Sequence, residues 1–418
     1  TGARAAVDDR RVNSDSLPRP ENSSGETPRL WRFAPDAWRA SKRLSERRID
    51  LYLKLRGGKA VPRSIQARIR AMRIPDEQIY DALSQVRGLG DWMGAWNQIA
   101  QQFLSDARRQ DLANRWHDAA VSRRNAAMCY HVAHFVTDTD PRTVRALKAA
   151  GVAAFAQAIP QLMPETRRVL VAWRASQLPG YLAKPVIASG EAPLVVLLNG
   201  MTTTKEELIL WSDRFLAHGV AVLALDWPGT GEAATGQPLS PDCDDITDGL
   251  LSSVADEPGL DPTRITLCGF SLGGSLAIRA AALDRRVAGA IAVTPPYEPR
   301  SWIHYVNPII RQQLVTLAVD DEFAEAALDG FSLADVMPRL RTPLLVFGAA
   351  RDLTVPPEES LNLAAAAGEL ATLVWYPDGS HGLYEYLDDW TDVAARWAIK
   401  ITGGSVSILS PQVESATT

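Results

Sequence analysis

The chain has 418 residues, 46% of them apolar and 22% charged, and a mean hydropathy of -0.10. It is long enough for two or three domains with a sizeable core, and without a run of about 18 apolar residues it excludes a membrane-spanning helix. A formal net charge of -5 argues against nucleic acid as the partner, although residues 30–128 carry 19 Lys/Arg against 10 Asp/Glu. That local excess reads as a solvated face, or as a basic surface that meets an acidic partner or the chain's own acidic remainder.

Residues 1–29 are polar, hold few large apolar groups and no secretory h-region, and are expected to form a disordered tail. From 30 to 178 the pattern is helical. Ile99, Phe103, Leu112 and Trp116 recur at helical spacing. Asp140-Pro141 opens a further helix with proline in its first turn, and Pro160 and Pro164 are expected to interrupt the pattern beyond it. No β-rich run stands out in this half. At Pro179 the character changes. LPGYLAKPVIA reads as a strand entering a sheet. Short apolar runs come next at 194–199, 220–226, 264–268, 288–293, 343–348 and 372–376, each bounded by Gly, Pro or Asp. Helix-like segments at 205–218, 273–283 and 356–368 separate most of them. Strands apolar throughout, alternating with helices, predict a mostly parallel sheet covered on both faces, hence an α/β fold over 179–402. The longer stretch 297–340 reads as an insertion over the site rim, and 403–418 as a flexible tail.

Gly269-Phe270-Ser271-Leu272-Gly273-Gly274 follows the run RITLC and precedes an apolar helix. A G-x-S-x-G turn in that context is a nucleophile elbow, where small residues must flank a serine held out at the sheet edge. Serine needs a base, and the base an orienting acid. Asp352, just beyond the run PLLVFG, is placed to be the acid, while Asp378 in YPDGSH reads as a turn residue. Of the histidines after Ser271, His381 follows a strand in a loop able to reach across to the serine, whereas His304 reads as pocket lining or packing. The oxyanion of a tetrahedral intermediate needs backbone N–H donors. Leu272 supplies one, and Gly200 lets the loop after LVVLLN turn so that Met201 (or Thr202) supplies another.

These residues resemble the α/β-hydrolase superfamily across about 179–402. NGMTTTKEE at 199–207, LDWPGTGE at 225–232, RRNAAMCYHVAHF at 123–135 and the helical N-terminal half are similar to a narrower branch. That branch holds 2,6-dihydroxypseudooxynicotine hydrolase, fungal hydrolases that shorten pigment polyketides, and fermentation–respiration-switch esterases. The resemblance implies a cofactor-independent serine hydrolase with a helical cap, in several relatives a homodimer, cleaving esters or the C–C bonds next to ketones. Members that cleave C–C bonds carry an acid two residues after the loop glycine. Here Thr202 stands in that place.

Four further residues are candidates for the pocket. Tyr130 and His134 share one helix face, and Trp302 and Tyr305 lie in the insertion; packing accounts for each as readily. Asp226 to Glu232 lacks the ending of a phosphate loop and reads as a structural turn. Three cysteines form no disulfide framework, no spacing suggests a metal site, and a reducing cytoplasm fits. The expected activity is hydrolysis of an ester or thioester, polyketide and aromatic substrates included, through an acyl-enzyme, with an acyl carrier protein as a compatible partner. The alternatives are C–C hydrolysis of a β-diketone, non-hydrolytic cyclase, lyase or acyltransferase chemistry at the same site, and a non-enzymatic binding module.

Overall fold

The computed structural model describes residues 35–135, 141–235, 238–303, 306, 310–311, 313–314, 328–403 and 407–408. The expected N-terminal tail, His304 and Tyr305 lie outside these residues.

Six helices come first: α1 (Pro35–Arg56), α2 (Arg63–Ala71), α3 (Asp76–Gln85), α4 (Leu89–Leu112), α5 (Trp116–Phe135) and α6 (Pro141–Leu162). In α4, Trp92, Trp96, Ile99, Phe103 and Ala107 are buried at the spacing of one helix face. Helix α5 is buried almost all round, because its alanines let α6 come close. A Cβ on Gly151 of α6 would lie 3.3 Å from the Ala127 carbonyl. Pro160 does not interrupt α6; it sits in the last turn, where few residues remain to be disturbed.

The helical pattern ends at Leu162, well before the expected change at Pro179. Strands β1 (Thr166–Trp173) and β2 (Ser176–Ala183) form an antiparallel hairpin there. β1 was hidden in the sequence because only Thr166, Val171 and Trp173 are buried, while Arg167, Arg168 and Leu170 face outward. An edge strand with two arginines carries little of the apolar signal of a central one. The remaining strands are β3 (Ile187–Ser189), β4 (Ala192–Leu198), β5 (Ala221–Leu225), β6 (Leu260–Phe270), β7 (Val287–Val293), β8 (Leu344–Ala349) and β9 (Ala371–Tyr376). Between them run α7 (Lys205–Ile209), α8 (Asp213–Ala217), α9 (Ile246–Val254), α10 (Leu272–Leu283), α11 (Pro299–Trp302) and α12 (Pro357–Ala367), with α13 (Leu387–Thr402) after β9. Part of the expected C-terminal tail forms β10 (Ser407–Ile408), which pairs with β3.

The eight-stranded sheet has the order β1-β2-β5-β4-β6-β7-β8-β9, parallel from β5 to β9. Strand order reverses between β4 and β6, so their carboxyl ends open a crevice, the usual place for a site in such a sheet. Side chains of β4 alternate between two cores. Val195 and Leu197 join a core that continues into α4, α5 and α6, whereas Leu194, Val196 and Leu198 join one under α9, α10 and α12.

At the start of α7, Lys205 is fully buried with its ammonium 2.6 Å from Glu206, 2.8 Å from Glu232 and 3.1 Å from Asp226. Asp226 also accepts from the backbone N–H groups of Lys205 and Glu232. Burial pushes the Asp226 carboxyl up to about 6 against the pull of Lys205. A Cβ on Gly231, whose φ is +45°, would fall 2.2 Å from this carboxylate, so the Asp226–Glu232 turn closes tightly on its own first residue. Removing the shared cation from three clustered carboxylates leaves uncompensated buried charge. Lys205→Met is therefore expected to lose about 3–5 kcal/mol in urea unfolding tracked by tryptophan fluorescence; a loss under about 1 kcal/mol would show that these charges are solvated in the folded protein.

Candidate active site

The crevice is built around a strained serine. Ser271, between β6 and α10, has φ +51° and ψ -121°, a conformation that L residues keep only where the surroundings impose it. The imposition is visible in the two flanking glycines. A Cβ on Gly269 would lie 1.9 Å from the Gly273 carbonyl oxygen, and one on Gly273 would lie 2.4 Å from the carbonyl oxygens of Leu198 and Asn199. Helix α10 thus starts directly against the end of β4, with Ser271 at its N-terminus. The Ser271 N–H donates to the Val293 carbonyl at 3.0 Å.

The next residue on that strand end, Thr294, holds the histidine turn. Its hydroxyl accepts from the Gly382 N–H at 3.1 Å, and its own N–H donates to Phe347 on β8. Ser271 and His381 are therefore anchored to adjacent residues at one sheet edge. His381 Nδ1 lies 2.7 Å from Asp352 Oδ2. Because the carboxylate can only accept, Nδ1–H is the donor, and Nε2 is the ring nitrogen outside this bond. Asp352 is 6% exposed, and its other oxygen accepts from the N–H groups of Thr354 and Val355 at 2.8 and 2.9 Å. Asp378 instead pairs with Arg351 in solvent.

The loop after β4 lies against the same serine. A Cβ on Gly200 would be 3.4 Å from Ser271 Cβ and 3.1 Å from the Phe270 oxygen. Three bonds close the loop on itself and on the Asp226–Glu232 turn. Gly200 N–H donates to Thr203 Oγ1 at 2.6 Å, Asn199 Nδ2 donates to the Thr203 oxygen at 2.7 Å, and Trp227 Nε1 donates to the Asn199 oxygen at 2.6 Å. Met201 and Thr202, at its tip, are partly exposed.

From the helical half, Arg68 of α2 reaches this loop. It forms a two-pronged ion pair with Glu207 (2.9 and 2.8 Å) and donates to Thr202 Oγ1 at 2.9 Å and to the Thr202 oxygen at 2.8 Å. Its guanidinium also lies over the Phe135 ring, 4.4 Å from the centroid. His131 Nε2 is 3.0 Å from Glu207. Burial disfavours the Glu207 carboxylate, but Arg68 and His131 outweigh it and hold the carboxyl below its ordinary range. Neither Arg68 nor Glu207 was distinguishable in the sequence. Arg68 is one arginine in a segment rich in them, and a glutamate two residues beyond a loop reads as surface.

The pocket candidates fare unevenly. Tyr130 is buried among α4, α5 and α6, where Gln101 donates to its hydroxyl at 2.6 Å. Trp302 packs against the core under α9, α10 and α12. Neither is brought to Ser271 by these contacts. His134 stacks edge-on against His131 with centroids 5.2 Å apart. Both line a small cavity with Lys148, Glu206 and Glu232.

Such a sheet, with a serine on the turn after its central strand, defines the α/β-hydrolase superfamily, and the protein is an enzyme of the hydrolase class. More narrowly, the family described as Esterase FrsA-like matches residues 59–300, over half of the chain, and the chain belongs to it. The prolyl oligopeptidase family also matches residues 210–405. Among curated relatives, the chain is 24% identical to 2,6-dihydropseudooxynicotine hydrolase of Paenarthrobacter nicotinovorans over 69% of this chain and 79% of that one. It is 27% identical to Hydrolase LUC6 of a Fusarium species over 64% and 75%, and 23% identical to Esterase FrsA of Yersinia enterocolitica over 74% and 76%. The crystal structure of 2,6-dihydroxy-pseudo-oxynicotine hydrolase superposes with a TM-score of 0.72 at 21% identity, covering 82% of this chain and 98% of that one. AbyA5 superposes at 0.63 and 19%, covering 86% and 95%. Among the described residues no helix is long and apolar enough to cross a membrane.

Burial lowers the proton affinity of both His131 and His134 below the ordinary histidine value of 6.5. Groups depressed in the folded state contribute stability that is present above 6.5 and is lost as pH falls towards their folded values. The melting temperature is expected to fall as pH drops below about 6.5, and less steeply in the His131→Gln/His134→Gln variant. Equal slopes in differential scanning calorimetry would mean that the two imidazoles titrate as they do in water.

Proposed function

We propose that the protein is a serine hydrolase that cleaves an ester or thioester through an acyl-enzyme, with Ser271 as nucleophile, His381 as general base and Asp352 as its orienting acid. The observation that carries this reading is the pairing of the strained Ser271 with the His381–Asp352 hydrogen bond, both tied to the Val293–Thr294 strand end. His381 Nε2 takes the Ser271 proton as Oγ attacks the carbonyl carbon, and the resulting imidazolium is stabilised by Asp352. The proton then passes to the leaving group. A water activated by the same histidine hydrolyses the acyl-serine.

The Leu272 and Met201 N–H groups are the assigned oxyanion donors. Leu272 is the first residue of α10, where helical geometry leaves the N–H without an intrahelical acceptor, and Gly200 brings the Met201 loop against the serine. Thr202 favours ester over C–C cleavage. Its hydroxyl has no pKa near neutrality, and the neighbouring Glu206 and Glu207 are engaged by Lys205 and by Arg68. The names of two relatives, an esterase and a hydrolase of a pseudooxynicotine, support a small carbonyl substrate, and aromatic and polyketide substrates are both in keeping with the proposed chemistry. The exposed Leu44, Leu51 and Leu55 on one side of α1 support a homodimer, and the basic excess of residues 30–128 suits an acidic acyl carrier protein as thioester donor. Three free, buried cysteines support a reducing cytoplasm.

Ser271→Ala should lower kcat on p-nitrophenyl butyrate by about 10³-fold or more, with KM little changed, and abolish labelling by a fluorophosphonate. Asp352→Asn should lower kcat by orders of magnitude while Asp378→Asn leaves it within about twofold; the reverse ranking would identify Asp378 as the acid. For bond selectivity, the wild type should turn over the activated ester at least about 100-fold faster than a matched 1,3-diketone. Comparable rates, measured by product chromatography, would move C–C hydrolysis to first place.

A further inference from the structure

The oxyanion loop is held from outside the catalytic sheet. We infer that Arg68 is a positioning residue, which fixes the Met201–Thr202 backbone so that the oxyanion hole is complete only while α2 is docked. The inference rests on the serine-hydrolase reading above, and adds to it a dependence of chemistry on the helical half.

Three observations converge on it. First, the guanidinium donates to both the carbonyl and the hydroxyl of Thr202, the residue next to the assigned donor. A single rigid peptide plane lies between the unit that carries the Met201 N–H and the unit that carries the Thr202 carbonyl, so fixing one restricts the other. Second, Arg68 has no freedom of its own. Glu207 engages Nε and Nη2, the Phe135 ring covers its face, and His131 closes the far side of Glu207. A guanidinium is planar, and its fork can serve Glu207 and Thr202 together as an ammonium cannot. Third, the loop's remaining bonds hold Asn199, Gly200 and Thr203, but among the described hydrogen bonds Thr202 is held by Arg68 alone. The tip that carries Met201 thus takes its outer support from the helical half. Tyr384, on the histidine turn, also stands 5.6 Å from the same guanidinium, so one cation adjoins both loops that flank the serine.

A preorganised donor matters only in so far as its position is fixed before charge develops. Loosening the loop should therefore raise the barrier without weakening ground-state binding. Arg68→Met alone would strand Glu207 as a buried charge, so the informative variant is Arg68→Met/Glu207→Met, which removes both charges and keeps the volume. With p-nitrophenyl butyrate, this variant should show kcat lower by about 30–100-fold with KM within about twofold. Inhibition by a phenylboronic acid, which mimics the tetrahedral species, should weaken by the same factor, while calorimetry shows a single cooperative melt. Thr202→Ala, which removes only the hydroxyl acceptor, should fall between this variant and wild type; Arg68→Lys should be as slow as the double variant. Retention of kcat and boronate affinity by the double variant, in a protein whose turnover still requires Ser271, would overturn the role of Arg68. A rise in KM with unchanged boronate affinity would overturn it as well, since that marks general loosening of the pocket. If Ser271→Ala itself stays active, it is the serine-hydrolase reading that has failed, and the inference built on it goes too.

Discussion

The contact on which the site depends is between backbone and backbone. The first turn of α10 touches the end of β4 so closely that Gly273 has the Leu198 and Asn199 carbonyls where any side chain would begin. This contact brings the turn after β6 and the loop after β4 within reach of one another across the crevice where strand order reverses. It also leaves Ser271 no relaxed conformation. The positive φ is stored strain of the order of 1–3 kcal/mol, held by the parallel ladders on either side of β6 and by the buried helix behind it. The aim of the serine and the nearness of Gly200 are both consequences of that approach.

Around it the chain places charges that most cores exclude. Lys205 with its carboxylates and Arg68 with Glu207 both adjoin the loop after β4. Each ion loses several kcal/mol of hydration on burial, and well-packed apolar residues would serve stability as well or better. What ions and amides supply instead is direction. Asn199 is fixed through Trp227, Thr230 and Asp226, and Thr202 through Arg68. The basic excess of residues 30–128 is explained in part by this. Arg68 and Arg73 meet Glu207 and Asp213 across the boundary between the helices and the sheet, so some of that charge is neutralised within the molecule.

The sheet was legible from Pro179 onward because its central strands are apolar on both faces, and each of the six apolar runs overlaps a strand. β1 was not, since an edge strand shows its second face to water and carries arginines there. The strained Ser271 turn and the Asp352–His381 hydrogen bond stand at positions the sequence singled out because each of the three residues follows a strand end. The supporting groups could not. Arg68 lies 139 positions from Glu207 and 134 from Thr202, and no local pattern marks an arginine as buried when its partner arrives only through folding. Tyr130 marks another limit of local pattern: its spacing with His134 on α5 left packing and pocket lining both open, and because that helix is buried nearly all round only the folded contacts show its hydroxyl accepting from Gln101 within the bundle.

That burial pattern bears on how such an enzyme can change over time. The core that begins at Leu53 in α1 runs without a break through α5 and β4 to Ala398 in α13. The helices are thus one wall of the same interior that supports the sheet, in the way that a keyed lid shares its fit with the box. A foreign helical segment grafted in their place would have to match the relief of Val195, Leu197, Val222 and Phe270 before the sheet could keep its packing. Single exchanges along the seam disturb this shared interior less than exchange of the whole helical half.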